Sequence, residues 1–378
     1  MILYLTYNDQ PTGVYWSQVT DVVAHLNTLG GPRVRLLALV SARDYFGIRR
    51  KIRAHSPDAI VLPMVPRMKH WRANTAVVQW ACRRLKPSAI IARGVLATWM
   101  ALRARDQGRT AKVCLDARGA YAAEWEEYRI IDDDALIAQF RAVEQEAVER
   151  SDLRLAVSHA LVEHWRERYG YQGNDHVVIP CTLAATHLAE GGDPQAMREQ
   201  LGFTADDVVL VYSGSSAGWQ SFALLERLLG LILGTQPRTK VLFLSPPDPA
   251  IEALSANWLG RSLRMWVQPS EVHAVLNACD HALLVREDTI TNRVASPTKF
   301  AEYLSCGLPV IASKHIGDFS ATILHESLGL VQGEEDVPPL LERPSDTTRS
   351  RIRGYALAHY TKAAHNDTYR HLLRQLGA

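Results

Sequence analysis

Cysteine is scarce and scattered: Cys82, Cys114, Cys181, Cys279 and Cys306 are odd in number and form no Cys-x-x-Cys pair. That spacing argues against a disulfide framework and a structural zinc site, and suits a reducing compartment. No run approaches the roughly 18 apolar residues that would span a bilayer. The opening MILYLTYNDQ has no basic stretch followed by an apolar one, so it does not read as a signal peptide. The 14 histidines form no His-x-x-x-His or His-Glu-x-x-His. Short repeats and low-complexity tracts are also missing. A cytoplasmic protein is expected, with a peripheral position on the inner face of the plasma membrane as the finer expectation.

The chain has 378 residues, 47% hydrophobic and 22% charged, the balance of a globular protein too long for one core. Its net charge of +2 hides an uneven distribution. Residues 1–112 carry 18 Lys and Arg against five acids, while the remainder carries 24 against 35. Arg49, Arg50, Lys51 and Arg53 cluster in one segment; Arg83, Arg84 and Lys86 end another, and Arg103, Arg105 and Arg109 flank a third. Cations complement helix carboxyl ends, but that does not account for so large a surplus. An anionic partner is expected, with lipid headgroups ahead of nucleic acid, for which no zinc, helix-turn-helix or RNP-like pattern speaks.

Short Val/Ile/Leu runs alternate with amphipathic segments, which predicts a parallel sheet covered on both faces. Seven strands are expected in the first half: 2–7, 34–40, 59–64, 89–92, 112–115, 153–157 and 177–179. Six follow, at 208–212, 241–244, 263–267, 282–285, 310–312 and 330–332. A long helix is expected over 135–150. The Gly-rich stretch 184–194 is the best linker, so the fold class is α/β, with two Rossmann-like, doubly wound domains at 1–183 and 184–354. Open parallel sheets bind ligands at strand carboxyl ends, which makes a cleft between the two domains the default site.

Four segments could carry chemistry. In ASPTKFAEYLSCGLPVIAS, Ser296 suits an N-cap, Pro297 a first helical position and Gly307 a helix end. The amino end of that helix, with Thr298 and the Lys299 ammonium, would bind phosphate, and Glu302 could accept from ribose hydroxyls. The alternative is a solvated Lys299–Glu302 pair. Gly214 and Ser215 follow a buried strand and allow amides to approach an anion, or simply make a tight turn. Asp116, Arg118 and Glu124 follow another buried strand; Arg118 could fork onto a diphosphate or a sugar hydroxyl, or pair with Asp116 to brace the loop. Gly13 lies in the first strand-to-helix loop.

Taken in chain order, with Glu146 to Ser158 (E-x-x-x-x-S-D-x-x-x-x-V-S) and Tyr212 to Trp219, these elements resemble the GT-B glycosyltransferases, and within them retaining family four. The D-x-R-G and S-P-T-K forms resemble the branch associated with bacterial surface-polysaccharide assembly. The resemblance implies that the second domain binds a nucleotide-sugar donor. Ser296, Pro297, Thr298 and Lys299 would cradle the diphosphate, Glu302 would hold the ribose, and Gly214 and Ser215 would line the opposite wall. The first domain would take a saccharide or lipid-linked acceptor, and a final helix, about 355–378, would cross back to it. Arg118 stands where many relatives carry a histidine that touches the transferred sugar.

The sequence departs from that pattern at three places. Val294 stands where relatives carry the first glutamate of a pair, and Ser215 and Gln220 replace an arginine and a lysine. Lys299, Arg286, Arg293 and Arg118 are the cations available to stabilise a leaving diphosphate. No cofactor or metal is expected. Asp132, Asp133 and Asp134 read as acids at a helix start rather than as a metal motif. The leading expectation is a metal-independent, retaining transferase; a nucleotide-sugar epimerase and a catalytically silent nucleotide-sugar binder are the alternatives.

Overall fold

The computed structural model describes every residue except 67, 131–132, 189–191, 215–217, 219, 334–335, 337 and 378. Two compact domains result: Met1–Ala184 with Lys362–Ala378, and Ala185–Thr361.

The first domain contains β1 (Ile2–Tyr7), β2 (Val34–Val40), β3 (Ile60–Pro63), β4 (Ala89–Arg93), β5 (Lys112–Ala117), β6 (Leu153–Ala156) and β7 (His176–Val178). They form one parallel sheet in the order β3-β2-β1-β4-β5-β6-β7. All six residues of β1 are buried, because helices cover both faces of a parallel sheet and leave no face to alternate toward water. The order reverses between β1 and β4, which opens a crevice at their carboxyl ends.

The second domain repeats the plan with β8 (Val208–Ser213), β9 (Thr239–Leu244), β10 (Ser262–Met265), β11 (His281–Leu284), β12 (Val310–Ser313) and β13 (Gly329–Gln332). The order is β10-β9-β8-β11-β12-β13, again parallel, with the reversal between β8 and β11. All thirteen strands expected from sequence are present. Among the described residues no helix is long and apolar enough to cross a membrane.

The expected linker is not a free tether. Ala185–Leu188 forms a 3-10 turn, and its His187 is buried edge-on against His273 of the second domain. The carboxyl-terminal segment also differs from the expected single helix over 355–378. Tyr355 to His359 end a helix of the second domain, Asp346–His359, and Tyr360 packs edge-on against Phe300 and Phe319. The chain rejoins the first domain only at Lys362. There Asn366–Gly377 buries Tyr369, Leu372, Leu373 and Leu376, spaced on one helical face, in the core beside Ile2, Val22 and Leu36. Full burial of such side chains stabilises by roughly 1.5–3 kcal/mol each.

Candidate functional site

In the first domain, the crevice at β1 and β4 holds a chain of buried charges. Arg93, the last residue of β4, sets its Nε 3.6 Å from Asp9 Oδ1 and its Nη1 3.7 Å from Asp116 Oδ2. Asp116 is fully buried and also accepts from the Tyr4 hydroxyl and from Arg118 Nη1 at 3.3 Å. Arg118 Nη2 donates to Gln18 Oε1 at 2.9 Å and Cys181 Sγ at 3.0 Å. Burial pushes the Asp9 carboxyl up, against the pull of Arg93. Burial pushes Lys362, which donates to Leu183 O at 2.8 Å, down to about 8.

Arg118 is therefore not a free fork waiting for a diphosphate. Its guanidinium braces Asp116, the β1 side and the loop at Cys181, which is the bracing alternative of the sequence reading. Asp116 has no exposed surface to offer an acceptor. Glu124 lies in the first turn of the helix Tyr121–Tyr128. A residue that the sequence reading missed, Glu144, organises that helix end: its carboxyl accepts from the Tyr121 and Ala122 amides at 3.1 and 2.8 Å and from the Tyr169 hydroxyl at 3.1 Å. Burial pushes the Glu144 carboxyl up to about 7. Gly13 is exposed and has open space around its Cα, so nothing in the protein itself requires glycine there.

The polar residues of the Glu146 to Ser158 motif are structural. Glu146 takes both guanidinium nitrogens of Arg103 at 2.6 and 3.0 Å and Arg150 at 2.6 Å. Asp152 accepts from Arg105 and from the Val113 amide, and Ser158 caps the helix His159–Tyr169. Asp133 caps the helix Asp134–Arg150, and Asp132 lies outside the described residues.

The second domain brings together Gly214 after β8, Arg286 just beyond β11 and Lys299 on the helix Thr298–Ser305. Pro297, not Ser296, occupies the N-cap position, and it provides no side-chain cap; the helix starts one residue later than the sequence reading has it. The offset has a plain cause: Pro297 sits at ψ 127°, extended rather than helical. Ser296 is buried before it. Tyr303, from the same helix, accepts the Ser213 amide at 3.0 Å and so ties the end of β8 to this helix.

Lys299 is the unusual member. Its ammonium nitrogen is buried, has no hydrogen-bond partner among the described residues, and lies 5.3 Å from the Tyr212 ring centre. Burial, helped by Arg286, pushes it down to about 7, and Glu302 opposes the shift. The expected alternative of a solvated pair is excluded by that burial. Gly214 makes room for the ammonium: a Cβ there would fall 2.0 Å from Lys299 Nζ, and its φ of +130° is itself a glycine conformation. Gln220 Nε2 lies on the same side, 3.5 Å from that Cβ position.

Arg286 is aimed by Asn292, whose Oδ1 accepts from Nη1 at 3.1 Å, and by Ser313, which bonds both its backbone groups. Arg293 does not join this group; it forks onto Asp288 at the surface, Nε to Oδ1 at 2.5 Å and Nη2 to Oδ2 at 2.8 Å. Val294 is buried and apolar. Ser215 falls outside the described residues. Of the four cations singled out from sequence, Lys299 and Arg286 meet here. A buried cation without a counterion among the described residues, beside a helix amino end at a sheet's reversal point, can hold an anion of at least one negative charge. Among the described residues no three His, Cys, Asp or Glu side chains gather in a metal-ligating group.

No protein-family model matches the chain, and no curated protein matches it. Solved structures do. Sucrose-phosphate synthase from Thermosynechococcus elongatus superposes with a TM-score of 0.74 at 18% identity, covering 99% of this chain and 98% of that one. HepE from Anabaena, solved with UDP and glucose, gives 0.70 at 15% identity and 99% of each chain. WaaG, a glycosyltransferase involved in lipopolysaccharide biosynthesis, gives 0.62 at 13% identity, over 99% and 95%. At these identities the likeness is one of fold, and the fold is GT-B.

Proposed function

We propose that the chain is a glycosyltransferase that moves a sugar from a nucleoside-diphosphate donor to a saccharide or lipid-linked acceptor, with retention and without a metal ion, in surface glycan synthesis. The observation that carries this reading is the buried ammonium of Lys299, unpartnered among the described residues, beside Gly214 at the amino end of the Thr298–Ser305 helix, which has no side-chain cap. Cleaving the anomeric bond leaves negative charge on the diphosphate, and fixed cations and helix dipoles stabilise that charge without reorganising. Lys299 and Arg286 supply the cations, and Glu302 faces the ribose. The first domain takes the acceptor, with Asp9 the carboxylate nearest solvent in its charge chain. HepE, which has been solved with UDP-glucose, supports the choice of donor class.

The experiment is a panel of UDP-, GDP- and TDP-sugars, read by thermal shift and then by slow hydrolysis. A shift with release of free sugar supports transfer. A shift alone supports the silent binder, which buried Val294 at the missing glutamate position keeps in view. An altered sugar without free sugar supports the epimerase, and no shift with any donor overturns the reading.

The acceptor side is proposed to meet anionic lipid. Helix Tyr45–His55 exposes Arg50, Lys51 and Arg53 together with Phe46, and helix Thr75–Leu85 exposes Arg83, Arg84 and Trp80. Flotation with anionic liposomes is expected to carry the protein at low salt and to lose most of it near 0.5 M salt, about the ionic strength at which screening shortens to a few ångströms. Equal flotation with neutral lipid would contradict the charge-based docking.

A further inference from the structure

A cavity of the second domain, about 410 Å³, lies among Arg198, Arg343, Arg349 and Arg353, with Asp193 and Asp346 at its edge. Three of these arginines share one carboxylate. Arg198 Nη1 lies 2.9 Å from Asp280 Oδ2, and Arg349 Nη2 and Arg343 Nε lie 3.1 and 3.4 Å from Oδ1. Asp280 is fully buried, and Arg198 is buried too, its Nε without a partner among the described residues. Arg353 has neither a hydrogen-bond nor an ion-pair partner among the described residues. Of the edge carboxylates, Asp193 is engaged by the Gln195 and Ala196 amides, and Asp346 is exposed in a first helical turn. Positive charge thus exceeds negative around the cavity, and one guanidinium in its wall is unused.

We propose that this cavity binds a small phosphorylated anion, with Arg353 as its direct ligand and the Asp280 cluster holding Arg349 and Arg343 in the wall. A guanidinium fork matches the spacing of phosphate oxygens. The volume lies within the range of small-molecule sites and is far larger than a bare phosphate needs, which favours a sugar phosphate. The site is separate from the Lys299 group but shares a helix with it. Gly307, just past the Thr298–Ser305 helix, lines the cavity at φ +70°, and a Cβ there would fall 2.7 Å from the Arg349 carbonyl oxygen. An occupant therefore bears on the carboxyl end of the helix whose amino end carries Lys299.

The test titrates inorganic phosphate and, separately, a hexose phosphate into the intact wild type, Arg353→Ala and Lys299→Met, with thermal shift and calorimetry as readouts. Arg353 is half-buried and makes no hydrogen bond or ion pair among the described residues, so its variant is expected to fold. Saturable binding is expected in wild type and in Lys299→Met, weakened at least about tenfold in Arg353→Ala, since a charged hydrogen bond is removed. Tighter binding of the hexose phosphate identifies a sugar phosphate as occupant; equal affinity identifies phosphate itself. Binding that survives in Arg353→Ala and disappears in Lys299→Met would place the anion at the other site and overturn the proposal. So would the absence of binding to wild type at millimolar concentration.

Discussion

Lys299→Met is expected to lose nucleotide-sugar binding and, at the same time, to raise the stability of the free protein. Methionine is unbranched and one atom shorter than lysine, so it fills most of the space under Gly214 without a charge. Binding falls because the donor diphosphate loses a cation already stripped of water, where such a contact is worth most; a loss of about 100-fold or more in affinity is expected. Stability rises because the folded protein now carries an ammonium pushed from 10.5 down to about 7. Below pH 7 both folded and unfolded chains hold the proton, and the folded state bears the whole cost of burying it. Between pH 7 and 10.5 the unfolded chain holds more protons than the folded one, so wild-type stability climbs with pH. The gain in Lys299→Met is therefore largest near pH 6 and fades toward pH 10. Melting curves at the two pH values check it, and a variant less stable than wild type at pH 6 would show that the ammonium has a partner.

The second large effect belongs to the first domain. Asp116→Ala removes the one buried carboxylate shared by Arg93 and Arg118, and leaves Arg118 without a carboxylate and Arg93 with Asp9 alone. Breaking a buried pair from one side costs about 3–5 kcal/mol. For a domain of this size that lowers Tm by roughly 10 °C or more. Asp9→Ala, at the partly exposed end of the same chain, is expected to cost under about 1 kcal/mol. Adding Arg118→Met to Asp116→Ala is expected to recover part of the loss, because one orphaned charge is removed with its partner. Equal effects of Asp116→Ala and Asp9→Ala would mean that burial does not govern this network.

The contrast between these two sites shows what could be read in advance. Every strand was visible because a parallel sheet covered on both faces writes itself as an uninterrupted apolar run, as in Ile2–Tyr7. The reversal points then fix where charged residues at strand ends can meet. Which of them do meet was not visible. Arg93 and Asp9 pair across β1 and β4 from distant parts of the chain, and the only local sign was a charged residue closing the apolar run AIIAR. Arg118 looked like a ligand because it follows a strand; its partners Gln18 and Cys181 come from elsewhere in the fold. Helical spacing alone left Lys299 open between a phosphate ligand and a solvated partner of Glu302, since the groups that bury it, Gly214 and Tyr212, arrive from β8. The segment after Tyr355 was too polar to divide correctly, and only the Tyr369, Leu372, Leu373 and Leu376 face identifies the part that docks on the first domain.

The claim on which the functional reading depends is that Lys299 must be protonated to hold the donor. UDP-glucose has no phosphate that titrates above pH 6, so its affinity isolates the protein's own proton. Calorimetric titration of wild type with UDP-glucose from pH 6 to pH 9 is expected to show constant affinity up to about pH 7 and then a tenfold fall for each further pH unit. Affinity that stays level through pH 9 would contradict it and place the diphosphate away from Lys299.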